Sequence, residues 1–515
     1  MGNAGVLDAV LWLPLLLPVA LAVACTVTRS AALTRLAPVL ASLVVLACGA
    51  ALSVDALSRA VVTPTVVPGG VAAGGVAAAG ASGTIASSGG LRADALTAFM
   101  LLVVGAVGLT ATWAGLAPRG ERGAASPPTG HVRYGALISL FLGAMALAVL
   151  ADNLGVVWVA IEATTIATAF LVGHRGTGRA LEAAWKYVLL GSVGVAIAFL
   201  GVVLLWAATR AAGAPTLSWT ALITHPGALD PASLRVAVAL MVLGLATKAG
   251  LAPMHSWLPD AHSEAPAPVS ALMSGVLLAV AFYAILRVQA IADAVVGPGF
   301  MRGMLVAGGL LSLAVAAALL LRQRDYKRML AYSSIEHMGL LALGAAAGGA
   351  LGLTAVLLHM LGHGLSKASL FVVSGRILDV EGTTTIADVR GLLTRRPGLA
   401  VPFLVGMAAL LGFPPSALFF SEVAIVLALW QAGLSWVASL ALAFLLVLFA
   451  GLTRLTFALT LGGRLPAMAE PPDRSSHGPR VPLLLALGAT AVVAFLATPI
   501  GTALARAAAV LGGVS

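Results

Sequence analysis

The chain contains fourteen apolar runs that are each long enough to cross a lipid bilayer, which takes about 20 residues of helix. They lie at 9–27, 34–53, 96–116, 134–151, 153–172, 182–208, 234–252, 268–290, 304–321, 328–347, 350–377, 400–426, 434–462 and 481–508. Of the 515 residues, 60% are hydrophobic and only 9% are charged, and no soluble core could enclose so much apolar surface. The sequence therefore predicts an all-α polytopic membrane protein with about 14 transmembrane helices.

Cysteine content and the lack of nucleotide motifs restrict the chemistry of the chain. Cys25 and Cys48 are too few for an iron–sulfur cluster or a zinc site built on thiolates. The sequence contains neither a GxGxxG fingerprint after a strand nor a Walker loop. The net charge of +10 does not indicate nucleic-acid binding, because Lys and Arg are spread along short loops. We therefore expect no catalytic residues, no cofactor and no metal site in this chain.

The distribution of basic residues predicts the orientation of the chain in the membrane. Loops after odd-numbered runs, for example near Arg122, Arg324 and Arg395, hold about three times as many Lys and Arg as the other loops and the tail. The positive-inside rule then places these loops in the cytoplasm and both termini outside the cell membrane. No Lys or Arg precedes Arg29, so we expect the first run to be a retained helix and not a signal peptide.

Two apolar runs are interrupted by proline at corresponding places. Pro253 and Pro259 break the seventh run, and Pro414-Pro415 break the twelfth. Broken helices at matching places in two halves of a membrane protein are typical of a midplane ion site. Runs 4–8 and 9–13 each hold five helices with the break in the fourth, and an odd number of helices inverts the second copy.

This pattern divides the chain into four regions. Residues 1–133 hold the first three helices with a flexible, glycine-rich external loop at 62–92. The first inverted repeat is predicted at 134–290 and the second at 300–462. Residues 463–515 form a C-terminal loop and the last helix.

Three of the four lysines fall inside apolar runs: Lys186, Lys248 and Lys367. Glu162 is their carboxylate counterpart. A charge at membrane depth costs several kcal/mol and normally marks a partner or a wet ion path, so these residues are candidates for a proton pathway. The alternative is a buried structural ion pair that fixes helix packing. For Lys186, a local pair with Glu182 four residues earlier is a further alternative.

The eleventh run adds a row of titratable side chains. His359, His363 and Lys367 are spaced by four residues, which places them on one helix face. Imidazoles titrate near neutrality, and single waters can bridge them, so this row predicts a proton wire. Glu336 and His337 in the tenth run could extend it, although adjacent residues point about 100° apart and only one is expected to face the path.

Several motifs resemble the antiporter-like subunits of respiratory complex I, a superfamily that includes the Mrp cation antiporters and the membrane arms of energy-converting hydrogenases. They are Trp185-Lys186-Tyr187, the ATKAG sequence around Lys248, the stretch HSWLPDAHSEAPAPVS from His255 to Ser270, and LAYSSIEH ending at His337. The segments IEATTIATAFLV, EAAWKYVLL and SEAPAPVSALMSGVLL most closely resemble the hydrogenase-4 membrane component F branch. The resemblance runs from about residue 90 to 460.

The resemblance implies roles for these residues in a proton pathway. Glu162 matches the glutamate of the fifth helix, Lys248 the lysine of the seventh and Lys186 that of the sixth. His363 and Lys367 match the polar stripe of the eleventh helix, and Glu422 matches the terminal residue of the twelfth. His255, which opens the most specific motif, is included with His359, Glu336 and His337. Ala279 departs from the pattern, since complex I subunits usually carry Lys or His there, so waters, Ser274 or a neighbouring helix would have to bridge the two halves.

The resemblance implies a proton-translocating, non-catalytic membrane subunit of a multi-subunit oxidoreductase of the hydrogenase-4 or NADH-quinone oxidoreductase type. Its partners would be other membrane subunits and a peripheral redox arm with iron–sulfur or nickel–iron subunits. The alternative is a subunit of a Mrp-type cation/proton antiporter without redox activity. A carrier for a small organic solute is a third class, but the polar groups form a line and not one compact pocket.

Overall fold

The computed structural model describes residues 2–58, 84–116, 128–225, 229–463, 479–495 and 499–511. Within these ranges, eleven helices are long and apolar enough to cross a membrane. The chain is therefore a multi-pass, predominantly helical membrane protein, as its composition predicts. The prediction of fourteen spans exceeds these eleven helices and stays a prediction.

The described helices before the first proline break are long, except for one short helix in a loop. They are α1 (Gly2–Thr28), α2 (Ala31–Ser58), α3 (Ala95–Ala114), α4 (Pro128–Leu150), α5 (Leu154–Val172), α6 (Gly178–Ala211), the short α7 (Trp219–Thr224) and α8 (Pro231–Ala249). A 3₁₀ turn, Gly173–Arg175, follows α5.

The helices after the first break continue almost to the last described residues of the chain. They are α9 (Trp257–Glu264), α10 (Ala267–Leu272), a π-helical turn (Met273–Leu277), α11 (Leu278–Val296), α12 (Pro298–Leu320), α13 (Tyr326–Ala347), α14 (Gly349–Glu381), α15 (Ile386–Val389), α16 (Leu392–Arg395), α17 (Pro397–Leu410), α18 (Ala417–Gln431), α19 (Ser435–Thr460), α20 (Val481–Phe495) and α21 (Pro499–Ala509).

The region predicted as a flexible external loop, 62–92, is ordered near its end. Residues 62–83 lie outside the described residues, but Ala86–Ser88 (β1) pairs antiparallel with Leu91–Ala93 (β2) across a glycine turn. Leu91 and Arg92 are buried. The prediction was wrong for residues 84–92. It rested on the glycine content of the whole region, whereas this short segment contains apolar and charged side chains that are buried against the rest of the protein.

The segment Ala267–Val296, α13 and most of α14 are the most deeply buried parts of the described bundle. Gly275 and Gly364 allow the segment Ala267–Val296 and α14 to approach closely. A Cβ atom on Gly275 would lie 2.9 Å from the carbonyl oxygen of Gly364, closer than real side-chain carbons come. Small residues at such contacts let membrane helices pack backbone against backbone. This contact places the polar stripe of α14 in the middle of the protein.

The helices are interrupted at the two places where proline predicts a break. The chain is non-helical between α8 and α9, around Pro253, and between α17 and α18, around Pro414-Pro415. Gly250 ends α8 in the left-handed conformation, which suits glycine because it has no Cβ atom. The Ser416 side chain accepts a hydrogen bond from the Phe419 amide and thereby caps the start of α18.

Candidate functional site

Glu162 and Lys248 lie on neighbouring helices in the first half of the bundle. Glu162, on α5, is half-buried, and its carboxylate accepts hydrogen bonds from Thr165 Oγ1 (3.2 Å) and Ser192 Oγ (3.1 Å). Lys248, on α8, is completely buried. Its Nζ lies 3.3 Å from the Tyr187 hydroxyl oxygen and 4.6 Å from the centre of that ring. The described ion pairs do not include a direct one between the carboxylate and this amine.

Hydroxyl groups occupy the space between that carboxylate and that amine. The Tyr187 hydroxyl lies 2.6 Å from Thr168 Oγ1, which donates to the carbonyl oxygen of Thr165 (3.2 Å). Thr165 Oγ1 in turn donates to Glu162. The hydroxyl groups of Tyr187, Thr168 and Thr165 therefore form a row between Lys248 and Glu162. Within it, Thr168 contacts the carbonyl oxygen of Thr165, whereas Glu162 contacts the Thr165 hydroxyl group.

Glycine in α6 makes room for the buried amine. A Cβ atom on Gly191 would lie 2.8 Å from Lys248 Nζ, so a larger residue would displace the lysine. The amine thus occupies a space bounded by Gly191 on one side and by the Tyr187 ring on the other.

Lys186 lies at the surface of α6 and outside this row. Its Nζ lies 2.7 Å from a Glu182 carboxylate oxygen and 3.2 Å from an Asp260 carboxylate oxygen on α9. Asp260 is also paired with Arg328 of α13. The Lys186 side chain is 46% exposed. The local pair with Glu182 that the spacing of four predicts is confirmed, and Asp260 is a second partner that the spacing does not reveal.

Lys367 lies in the second half of the bundle, at the contact between α14 and α13. It is completely buried, and its Nζ donates hydrogen bonds of 2.5 Å to the Leu330 carbonyl oxygen and to Ser333 Oγ. The next residue of α13, Ser334, is hydrogen-bonded to Ser274 at 2.9 Å. Ser274, in the π-helical turn Met273–Leu277, therefore contacts the residue next to Ser333, to which Lys367 is hydrogen-bonded. This is the region where Ala279 leaves no titratable side chain.

Three histidines of α13 and α14 form a compact, buried group. His337 Nδ1 lies 3.0 Å from His359 Nε2, and the rings of His337 and His363 are centred 5.0 Å apart. His359 Nδ1 lies 2.9 Å from Ser421 Oγ on α18. The row predicted along α14 is thus joined by His337 from α13. Glu422, the residue after Ser421, is half-buried at the edge of the group.

Two other predicted residues have unpartnered atoms. Glu336, which precedes His337 in the sequence, is buried, and its Oε2 atom has no hydrogen-bond partner in the described structure. His255 is half-buried in the break between α8 and α9, and its Nδ1 atom is likewise without a partner there. Buried polar groups are normally hydrogen-bonded, so such atoms indicate places where water molecules bind.

Two further completely buried titratable side chains, on α9 and at the start of α13, are not among the predicted residues. His262, on α9, stacks on Phe371 of α14 with ring centres 4.8 Å apart, and both of its ring nitrogens are unpartnered in the described structure. Lys327, at the start of α13, donates to the carbonyl oxygens of Ser263 (2.8 Å) and Ala265 (2.9 Å) at the end of α9. The only feature of the sequence that pointed to His262 is its position in the motif HSWLPDAHSEAPAPVS. Lys327 precedes an apolar run and looked like a loop residue.

Comparisons with known proteins identify relatives of this chain. A "Hydrogenase-4 component F homolog" of Methylacidiphilum infernorum is 41% identical over 307 residues, which are 59% of this chain and 64% of that protein. An "NADH-quinone oxidoreductase subunit N" of Desulforudis audaxviator is 34% identical over 284 residues, which are 54% of this chain and 55% of that protein. The chain thus matches less than two thirds of the length of each of these relatives.

Solved structures and family models extend the comparison. A chain of the membrane-bound sulfane sulfur reductase, an archaeal respiratory membrane complex, superposes with a TM-score of 0.81 at 25% identity, over 99% of this chain and 98% of that one. The family model described as "NADH:quinone oxidoreductase/Mrp antiporter, TM" matches residues 151–448, which hold every candidate residue discussed above. The chain therefore belongs to the NADH:quinone oxidoreductase/Mrp antiporter transmembrane family.

Proposed function

We propose that the chain is a proton-translocating, antiporter-like membrane subunit of a multi-subunit oxidoreductase of the hydrogenase-4 or NADH-quinone oxidoreductase type. The observation that carries the proposal is the line of buried titratable side chains that runs through both halves of the described bundle. Charged groups at membrane depth are costly, so a long line of them requires a function. Electron transfer would take place in partner subunits.

In the first half of the line, protons would be exchanged at Lys248. Its amine is buried beside the Tyr187 hydroxyl, and hydroxyl groups continue towards Glu162. Burial disfavours a charged amine, whereas a nearby negative charge favours it. A change in the interaction between Glu162 and Lys248 would therefore make the amine take up or release a proton. Lys186 would contribute through its surface pair with Asp260, which connects α6 to α9.

In the second half, protons would pass from Lys367 along the histidine group. His363 and His337 pack ring against ring, and His337 and His359 are hydrogen-bonded nitrogen to nitrogen. A neutral imidazole accepts a proton at one nitrogen and releases one from the other, so neighbouring rings can hand protons on. Glu422 at the edge of the group, with Glu336 nearby, would complete this half.

His262 would connect the two halves at the position where Ala279 interrupts the family pattern. Its stacking on Phe371 places it one helical turn from Lys367. Its two unpartnered nitrogens would bind water molecules that extend the row towards Lys248 on one side and Ser274 on the other. His255 would act in the break between α8 and α9.

We propose further that the chain has fourteen spans, with inverted repeats at 134–290 and 300–462. Residues 1–133 would precede the repeats, and residues 463–515 would follow them. The breaks around Pro253 and Pro414-Pro415 support the repeats, because each interrupts the fourth span of its five-span unit. Three further spans, which are not among the eleven long helices, would be supplied by α13, by α17 with α18, and by α20 with α21.

The proposed orientation has both termini outside the cell membrane and the odd-numbered loops in the cytoplasm. We expect topology reporters fused near Arg324 and Arg395 to report cytoplasmic positions, and a reporter in the 62–83 region to report an external one. Arg122, a third fusion point, lies outside the described residues. Paired reporters active only in the cytoplasm and only outside it provide the measurement. The reverse pattern would contradict both the orientation and the helix count.

The partners expected for this function are other membrane subunits and a peripheral arm with iron–sulfur or nickel–iron subunits. We expect an affinity-tagged chain, purified gently from its native membrane, to carry iron and redox-active proteins with it. The same chain purified alone should contain no flavin and no iron–sulfur cluster. Metal analysis and the absorption spectrum of both preparations test this expectation.

The names of the two curated relatives favour the redox complex over the Mrp-type alternative. The two functions use the same buried residues, so the composition of the purified complex separates them. A complex that lacks iron, nickel and flavin, and that exchanges Na⁺ for H⁺ in proteoliposomes without an electron donor, would overturn the proposed function in favour of the cation/proton antiporter.

A further inference from the structure

We propose that His337, His359 and Glu422 form a binding site for a divalent transition metal ion of the zinc class. One ligand atom from each of the three residues lies within 4.8 Å of the others. The two histidines are buried and the glutamate is half-buried, so the described chain does not enclose the group completely on the side of Glu422. The proposal concerns metal binding by the resting chain and does not depend on proton translocation.

The spacing of the two imidazoles already approaches that of metal ligands. His337 Nδ1 and His359 Nε2 lie 3.0 Å apart. A tetrahedral ion with metal–nitrogen bonds of about 2.0–2.1 Å holds its ligand nitrogens roughly 3.4 Å apart. The two rings would therefore need to separate by only about 0.4 Å to bind one ion between them. The hydrogen bond that joins them in the structure would be replaced by two metal–nitrogen bonds.

The other nitrogen of His359 has the partner that a metal-binding histidine usually has. His359 Nδ1 lies 2.9 Å from Ser421 Oγ, which fixes the ring and its tautomer when Nε2 faces the ion. Such a second hydrogen bond is typical of metal-binding histidines, and its loss commonly weakens binding by about 10–100-fold. His337 Nε2 is buried and without a partner in the described structure, so His337 lacks the second hydrogen bond that orients His359.

The charges at the site favour moderate affinity. Two neutral imidazoles and one carboxylate are a ligand set that suits zinc and similar ions. The carboxylate of Glu422 offsets one of the two positive charges of the ion. Lys367 opposes binding, because its amine is held by Ser333, one helical turn from His337. The cysteine content predicts no metal site built on thiolates, whereas these three ligands come from three different helices, α13, α14 and α18.

Metal binding would have one consequence that rests on the proposed function. An ion between His337 and His359 occupies the nitrogens through which these rings exchange protons, so zinc-class ions would compete with proton transfer through the second half of the line.

Co²⁺ is a suitable probe, because a tetrahedral Co²⁺ site absorbs visible light much more strongly than octahedral Co²⁺ bound at a surface. We expect the purified full chain, without a polyhistidine tag, to develop tetrahedral Co²⁺ bands that an equivalent of Zn²⁺ abolishes. His359→Ala and Glu422→Gln should lose these bands. Ser421→Ala should keep them with an affinity about tenfold weaker. His363→Ala is the matched control and should keep both the bands and the affinity, because that ring packs on His337 but is not one of the three ligands.

Thermal unfolding of each variant shows whether it is folded, and Glu422→Gln decides the test if His359→Ala is not. The proposal is overturned if the wild-type chain shows no tetrahedral bands. It is equally overturned if His359→Ala or Glu422→Gln, in folded form, retains the bands and the wild-type affinity.

Discussion

Lys248→Ala and Glu162→Ala should each reduce proton translocation by the assembled complex by about a hundredfold or more, while the subunit still enters the membrane. A positioned proton donor or acceptor contributes roughly this factor to the transfer step. Lys248 is completely buried, and its described surroundings offer the Tyr187 hydroxyl as its hydrogen-bond partner and no direct ion pair. Its proton affinity therefore depends on the burial of the amine and on the charge of Glu162. Proton uptake by proteoliposomes that contain the complex is the measurement.

The double variant Lys248→Ala/Glu162→Ala separates a relay from a structural pair. Loss of one member of a structural pair leaves an uncompensated buried charge, and loss of both should restore assembly and proton movement together. Normal assembly of the double variant without proton movement supports the relay, and normal assembly with normal proton movement refutes it. Glu182→Ala is the matched control, since that carboxylate is 64% exposed, and its loss should leave translocation at the wild-type rate.

Arg287→Met should destabilise the protein by about 3–5 kcal/mol, because it leaves the buried Asp94 carboxylate without its direct ion-pair partner. Arg287 Nη2 lies 2.9 Å from both carboxylate oxygens of Asp94, and both side chains are almost completely buried. The guanidinium also lies 3.8 Å from the centre of the Trp219 ring, and its Nε donates to the Tyr283 hydroxyl. This ion pair joins α11 to the start of α3, where Asp94 also caps the helix by accepting from the Thr97 amide.

Thermal unfolding of the purified chain in detergent measures this effect. The double variant Arg287→Met/Asp94→Asn should recover most of the lost stability, because it removes the buried charge and keeps an oxygen that can cap α3. Lys186→Met is the matched control at an exposed ion pair and should leave the unfolding temperature close to that of the wild type. An equal loss of stability in the single and double Arg287 variants would show that the guanidinium acts through packing and not through its charge.

The features that the sequence predicted correctly are those that depend on hydropathy or on positions within one helix. Runs of apolar residues predicted a multi-pass helical protein, since only a closed backbone hydrogen-bond pattern is stable in hydrocarbon. Proline predicted the two interruptions, since it lacks an amide donor. A spacing of four predicted the pair of Lys186 with Glu182 and the common helix of His359, His363 and Lys367. The roles assigned to these residues in proton transfer stay predictions.

The tertiary structure decided which side chains of different helices meet. Arg287 and Asp94 are 193 residues apart in the sequence, and nothing in either run marks them as partners. Lys327 looked like a loop residue, yet it is buried against the end of α9, whereas Lys186 lies in an apolar run and is exposed. His337 joins His359 only because α13 and α14 pack at that height. Helical periodicity determines the face of the helix on which a residue lies. Its partner on a neighbouring helix depends on how closely small residues such as Gly275 and Gly364 let the two helices approach, and this is a property of the packed bundle.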